Sequence, residues 1–235
     1  MSTLGRWNGV FYFAPLVMIA ITVLGLPLLS ALSALLTYPA AVLLAAATRE
    51  GEEGPLLRAF SDAVSGLPPP LPLLLLVPRH PQRFDEVAVG INAAGFVPSR
   101  RSQWAGEPDE LARAADVWLG DSLGEMALYF GLADLGLQGG SFAPLGAHNF
   151  IEAAACGCPM LLGPSVFNFA EAAQQALAAG AAWQVRDWAD ALARAQALLA
   201  DAPARQAAVQ AALALSAPHR GAAARMAGRI LDLMP

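Results

Sequence analysis

The sequence predicts an α/β fold whose parallel sheet is covered by helices on both faces. Three observations carry this. Short apolar runs such as Leu73–Val77 and Leu135–Gln138 lack the alternation of a half-exposed strand, and unbroken apolar strands are those buried on both sides. Helix-length segments lie between them, so successive strands are joined by crossovers and run parallel. Hydrophobic residues make up 56% of the 235 residues and charged ones 14%. That supplies a sizeable core and leaves too little charge for a disordered chain.

The elements follow in order. Ala40–Ala47, ending at Thr48, is a buried strand, and Glu52–Val64 a helix that tolerates Pro55 in its first turn. Gly66-Leu-Pro-Pro-Pro is a turn before the strand Leu73–Val77. Pro81–Ala93 is helical and stops near Gly95. Phe96–Val97 and Asp116–Leu119 are weaker strands around a polar loop at Arg100–Pro108. Then come helix Gly124–Leu132, strand Leu135–Gln138, helix Asn149–Cys156, strand Met160–Leu162, helix Ala170–Ala179 and strand Ala182–Val185. Helices near Asp187–Leu199, Pro203–Leu215 and Arg220–Leu233 complete the chain. The expected domain is Rossmann-like and covers residues 40–235.

Residues 1–39 differ in character. No Asp, Glu, Lys or Arg occurs between Arg6 and Arg49, and Val10–Leu36 is nearly all apolar, long enough to cross a hydrocarbon core. The expectation is an apolar helical, membrane-anchor-like segment ahead of the domain. Fourteen basic residues, all arginine, face 19 acids for a net charge of −5. They are spread out, so no phosphate-tracking stripe exists and nucleic acid is not an expected partner. The two cysteines, Cys156 and Cys158, make neither a disulfide framework nor a zinc site, and they read as small core residues at a helix end.

In an open parallel sheet, ligands bind beyond the carboxyl ends of the strands, and the unusual polar residues collect there. They are Thr48–Glu53, Pro78–Pro81, Gly120–Glu125, Gly139–Ser141 and Gly146–Asn149, with Glu152 on the helix that follows. Gly140 lets the backbone approach a ligand. Arg79 presents a planar fork suited to phosphate, or is a solvated turn arginine. Glu152 accepts from ribose hydroxyls, or closes a capping box on Asn149. Asp121 and Glu125 read as a catalytic pair or as an N-cap with a first-turn acid. His80 and His148 read as proton carriers or polar packing residues. The loop glycines do not fit G-x-G-x-x-G after the first strand, which disfavours a nicotinamide cofactor.

Together, Thr48–Glu53, Pro78–Val87 (PRHPQRFDEV), Gly120–Met126 (GDSLGEM), Gly139–Pro164 (GGSFAPLGAHNFIEAAACGCPMLLGP) and Phe167–Glu171 (FNFAE) resemble, in order and spacing, the C-terminal donor-binding domain of the 3-deoxy-D-manno-octulosonic acid (Kdo) transferases. The resemblance implies the donor half of a GT-B glycosyltransferase that moves Kdo from CMP-Kdo to a lipid A precursor in lipopolysaccharide synthesis. It implies no metal or other cofactor, and an inner-membrane partner on the cytoplasmic face. It places nucleotide contacts on Pro78 and Arg79, on Leu123, Gly124 and Glu125, and on Asn149, Phe150, Ile151 and Glu152, with Gly140, Ser141 and His148 as further candidates. Leu123 stands where methionine is common in the family, and Ala147 where glycine is common. The family's glutamate base lies in an acceptor domain, whereas residues 1–49 hold no Asp or Glu. No catalytic residue is therefore assigned. A CMP-binding domain that needs a separate acceptor domain, or a GT-B half for another nucleotide sugar, are the alternative readings.

Overall fold

The computed structural model describes residues 41–68, 71–219, 226 and 229. The apolar segment 1–39 lies outside them, as does the expected helix Arg220–Leu233 but for two residues. Seven strands, β1 (Val42–Thr48), β2 (Leu73–Pro78), β3 (Pro98–Arg100), β4 (Val117–Leu119), β5 (Leu135–Gln138), β6 (Met160–Leu162) and β7 (Ala182–Gln184), form one sheet. Its order is β3-β4-β2-β1-β5-β6-β7, and every pairing is parallel.

The unbroken apolar strands feed two cores. Leu43, Ala45, Leu74, Leu76, Leu135 and Leu137 face one side, where they meet α1 (Glu53–Val64), α2 (Phe84–Ala93) and α7 (Trp188–Ala200). Leu44, Ala46, Leu75, Val77, Met160 and Leu162 face the other. There they meet α3 (Glu110–Ala114), α4 (Met126–Leu132), α5 (Ile151–Ala155), α6 (Ala170–Ala179) and α8 (Ala202–Ser216). Alternate side chains of one strand thus serve opposite helical layers. The last two helices part company at Asp201, which follows α7 and caps α8 by accepting from the Ala204 N–H at 2.9 Å. α7 buries Trp188, Ala191, Leu192, Ala195 and Leu198 against the first layer. α8 buries Ala208 and Ala212 beside α5 and α6.

One local expectation is corrected and one short element is added. The third strand is Pro98–Arg100 rather than Phe96–Val97. The Val97 N–H is taken by Asp116 Oδ2 at 2.9 Å, and the ladder starts one residue later, with Pro98 opposite Val117. As an edge strand it tolerates Pro98 and two polar residues. Beyond the polar loop lies the short helix α3, which sequence reasoning missed, capped by Asp109, whose Oδ1 accepts from Ala112 N–H at 2.8 Å.

From β1 the chain passes to β2, then to the edge strand β3, returns to β4 between them, and crosses to β5 on the other side of β1. The direction of winding therefore reverses between β1 and β5. A crevice at their carboxyl ends is where such sheets receive ligands. At the opposite end a reciprocal tie holds the same two strands: Val42 N–H donates to Asp134 Oδ2 at 3.0 Å and Asp134 N–H to Val42 O at 2.9 Å.

Candidate functional site

The floor of the β1–β5 crevice is built by a residue that sequence reasoning assigned to a helix start. Glu52 is 2% exposed. Its carboxylate accepts from the backbone N–H of Arg49 at 2.8 Å, Gly140 at 2.8 and 3.0 Å, and Phe142 at 3.2 Å. It joins the loop after β1 to the loop after β5. Burial pushes its carboxyl up and these three N–H donors pull it back, leaving it raised. Gly139 permits the approach, since a Cβ there would stand 2.4 Å from Ala47 O. Glu53 turns elsewhere, accepting from Thr48 Oγ1 at 2.8 Å and pairing with Arg83 at 2.8 Å. The three acids of the first loop thus do separate jobs, and Glu50 alone is exposed.

Around this floor lie the cations. Pro78 is the buried last residue of β2, paired with Thr48, and Arg79 N–H donates to Thr48 O at 2.9 Å. That places the exposed Arg79 at the mouth of the crevice, where its guanidinium has no ion-pair partner among the described residues. His148 packs on Gly140, its ring 3.3 Å from where a Cβ would be. Burial first, then the positive charges of Arg79, Arg49 and His80, hold its imidazole below the ordinary histidine range. The loop that delivers it is strained: Ala147 has φ +66°, a conformation disfavoured for a residue with a Cβ. Ser141 lies beneath, fully buried, donating to Gln138 O and accepting from Gly163 N–H at 2.8 Å.

Leu123 and Gly124 form an exposed turn after β4. Glu125 begins α4, and its carboxylate accepts from Ser122 Oγ, from Tyr129 OH at 3.2 Å and from Arg101 Nη2 at 2.7 Å. Those three donors hold Glu125 below its ordinary value against the opposing effect of burial, while burial pushes the Tyr129 phenol up to about 12. Asp121 is buried and accepts from Arg100 Nε at 2.6 Å and from Ser102 N–H and Oγ, each at 2.7 Å. Each carboxylate is thus tied to an arginine at the end of β3, Arg100 in the strand and Arg101 just after it. The N-cap reading is corrected: Asp121 caps no helix, and Glu125 stands at the N-cap position of α4 rather than in its first turn.

Asn149 Oδ1 accepts from Ile151 N–H at 3.0 Å, so α5 begins at Ile151, two residues later than the sequence suggests. Phe150 is buried at 1% and anchors the turn in the second core. Glu152 is exposed, and its carboxylate has no hydrogen-bond partner among the described residues. The capping box on Asn149 is therefore not formed. The crevice, Arg79, the Leu123–Gly124 turn and the Asn149–Glu152 turn all follow carboxyl ends of strands in one parallel sheet. The residues that sequence reasoning missed, Arg100, Arg101, Ser102 and Tyr129, lie behind the second of these loops. Cys158 is buried in the core, with burial pushing its thiol far up.

Among the described residues, no group of three or more His, Cys, Asp or Glu side chains could hold a metal ion. The expected inner-membrane partner and cytoplasmic-face location are corrected: among the described residues, no helix is long and apolar enough to cross a membrane.

A seven-stranded parallel sheet flanked by helices, with polar loops at its carboxyl edge, is a Rossmann-like donor domain of the kind found in GT-B glycosyltransferases. It matches the crystal structure of the C-terminal CMP-Kdo binding domain of WaaA from Acinetobacter baumannii with a TM-score of 0.67 at 29% identity, covering 74% of this chain and 88% of that one. The fold alone is shared with HepE from Anabaena, solved in complex with UDP and glucose, at a TM-score of 0.52 and 14% identity over 82% of this chain and 48% of that one. No family model matches the sequence. The 3-deoxy-D-manno-octulosonic acid transferase of Bordetella pertussis is 47% identical over 196 residues, 81% of this chain and 44% of the relative. That of Haemophilus influenzae is 36% identical over 193 residues, 81% of this chain and 43% of the relative. The chain belongs to the Kdo transferase family, in the region of its C-terminal domain, and spans less than half the length of these curated relatives.

Proposed function

We propose that this chain binds CMP-Kdo and supplies the donor side of Kdo transfer to a lipid A precursor in lipopolysaccharide synthesis. One observation carries the donor site: Arg79, exposed and without an ion-pair partner among the described residues, stands at the end of β2 beside the winding reversal of a family donor domain. Its guanidinium meets the phosphate and stabilises the charge left on CMP as the bond to Kdo breaks. Pro78 fixes its direction. The Leu123–Gly124 turn, braced by Glu125, borders the nucleotide, and Asn149, Phe150 and Ile151 shape the turn that presents Glu152 to the ribose hydroxyls. The donor is held without a metal ion, since arginine supplies the positive charge. The acceptor-binding part and its glutamate base belong, on the family resemblance, to the portion of the relatives this chain does not span.

Isothermal titration with CMP, UMP and AMP tests this. Selective binding of CMP is expected, and tight binding of UDP with no response to CMP sinks the assignment. Arg79→Ala should lower CMP affinity roughly 10- to 100-fold, as for loss of a hydrogen bond to a charged group, with the melting temperature unchanged. Unfolding without a selective loss of binding would make Arg79 a structural residue.

A further inference from the structure

CMP-Kdo carries two anionic groups side by side, because the anomeric carbon bonded to the phosphate also bears the sugar acid's carboxylate. One guanidinium cannot neutralise both. The structure holds a second set of cationic and polar groups at the same crevice. Arg49 follows β1 directly, and its main-chain N–H shares the Glu52 carboxylate with Gly140 N–H, each at 2.8 Å. Gly140 is in turn in contact range of the His148 ring and accepts from Ala147 N–H at 2.9 Å. Arg79 is tied to the residue before Arg49 through Thr48 O. Arg49, Arg79 and His148 therefore lie close together, near enough for both guanidinium charges to act on the His148 ring.

Nothing in the described structure satisfies this set. Arg49 is a half-buried residue, and its guanidinium has neither a hydrogen bond nor an ion pair among the described residues. His148 Nε2 is buried with no hydrogen-bond partner there either. A buried polar atom left unsatisfied is uncommon and marks a place where a ligand or water completes the bonding. Glu52, the acid nearest by bonding, directs its oxygens at main-chain N–H groups and at neither guanidinium. Gly140 keeps the His148 edge open, because a Cβ there would stand 3.3 Å from the ring's Cδ2 and Nε2.

We propose that Arg49 and His148 form the subsite for the carboxylate of the donor's sugar acid, adjacent to the phosphate position at Arg79. Arg49 clasps the carboxylate with its fork, and His148 donates to it from Nε2 as the neutral tautomer. The proposal rests on the CMP-Kdo reading above. It also makes the crevice selective, since a CMP-linked neutral sugar would leave Arg49 facing no charge.

The test is titration of wild type, Arg49→Ala, Arg49→Lys and His148→Ala with freshly prepared CMP-Kdo and, separately, with CMP. Wild type should bind CMP-Kdo more tightly than CMP. Arg49→Ala should lose roughly 10- to 100-fold for CMP-Kdo, the effect of one charged hydrogen-bonding group, with CMP affinity nearly unchanged. Arg49→Lys should restore part of the loss, because charge returns without the fork, and His148→Ala should likewise weaken CMP-Kdo selectively. Equal losses for both ligands would place Arg49 at the nucleotide phosphate and overturn the subsite while the donor reading stands. No loss for either would make it a solvated arginine and overturn the subsite in the same way. Binding of neither ligand by wild type overturns both readings.

Discussion

At the scale of single residues, Glu52 shows how a charged side chain can serve as a strut. It sits in a run of acids before a helix, yet its oxygens bind the N–H groups of loops 88 and 90 residues away. Truncation leaves the Gly140 and Phe142 N–H groups buried and unsatisfied, which costs about 1–3 kcal/mol for each such group. Glu52→Ala should therefore lower stability by roughly 2–6 kcal/mol and weaken CMP binding by loosening the crevice. Urea denaturation and titration would show it, and an unchanged midpoint would mean that water replaces the carboxylate. This role was not legible in the sequence, because no local pattern marks which of Glu50, Glu52 and Glu53 turns inward. Arg79 and Glu152 were legible as candidates because an isolated arginine directly after an apolar strand and an acid opening a helix stand out locally. Arg100 and Arg101, which brace the neighbouring Asp121 and Glu125, were not, since the end of an edge strand and the polar loop after it give no periodic signal.

At the scale of elements, the close meeting of β1 and β5 depends on a residue without a side chain. A Cβ at residue 139 would lie 2.4 Å from Ala47 O and 2.6 Å from Thr48 N, both main-chain atoms that cannot swing away. Gly139→Ala should push the two strand ends apart and cost about 1–3 kcal/mol, the usual range for forced overpacking. A melting temperature equal to wild type would show slack at this junction. Ala47 itself has φ +56°, at the point where the β1–β2 register shifts. Strain thus brackets the crevice at Ala47 and Ala147, as it does at many ligand sites. The central strands were legible because unbroken leucine and alanine runs admit few other readings. β3 and α3 were not, because an edge strand needs no apolar pattern and a five-residue helix is set by one cap and its tertiary contacts.

At the scale of the whole molecule, the carboxylates set how the fold answers acid. Burial would raise Asp121, but Ser102 and Arg100 outweigh it and hold it low. Glu125 is lowered likewise by Ser122, Arg101 and Tyr129. A depressed folded-state value means the unfolded chain takes up protons first. The stabilisation is present above the ordinary carboxylate value of about 4 and is lost as pH falls below it. Glu52 works in the opposite sense: its raised value means that protonation on acidification relieves the folded state. The urea midpoint should fall from about pH 4 toward pH 2, less steeply than Asp121 and Glu125 alone would dictate. Asp121→Asn should flatten the slope, and an identical slope in that variant would show that the Arg100–Asp121–Ser102 network contributes nothing.

The position of β1 in the middle of the sheet has a consequence in time. Its neighbour β5 begins beside Asp134, 92 residues further along from Val42. A ribosome adding roughly 5–20 residues per second needs about 5–18 seconds to supply it. During that interval β1 can pair with β2 on one edge while the backbone N–H and C=O groups of its other edge stay unpaired. A nascent chain of this kind must be shielded by chaperones or collapse transiently until the second half arrives, and the crevice cannot exist before then.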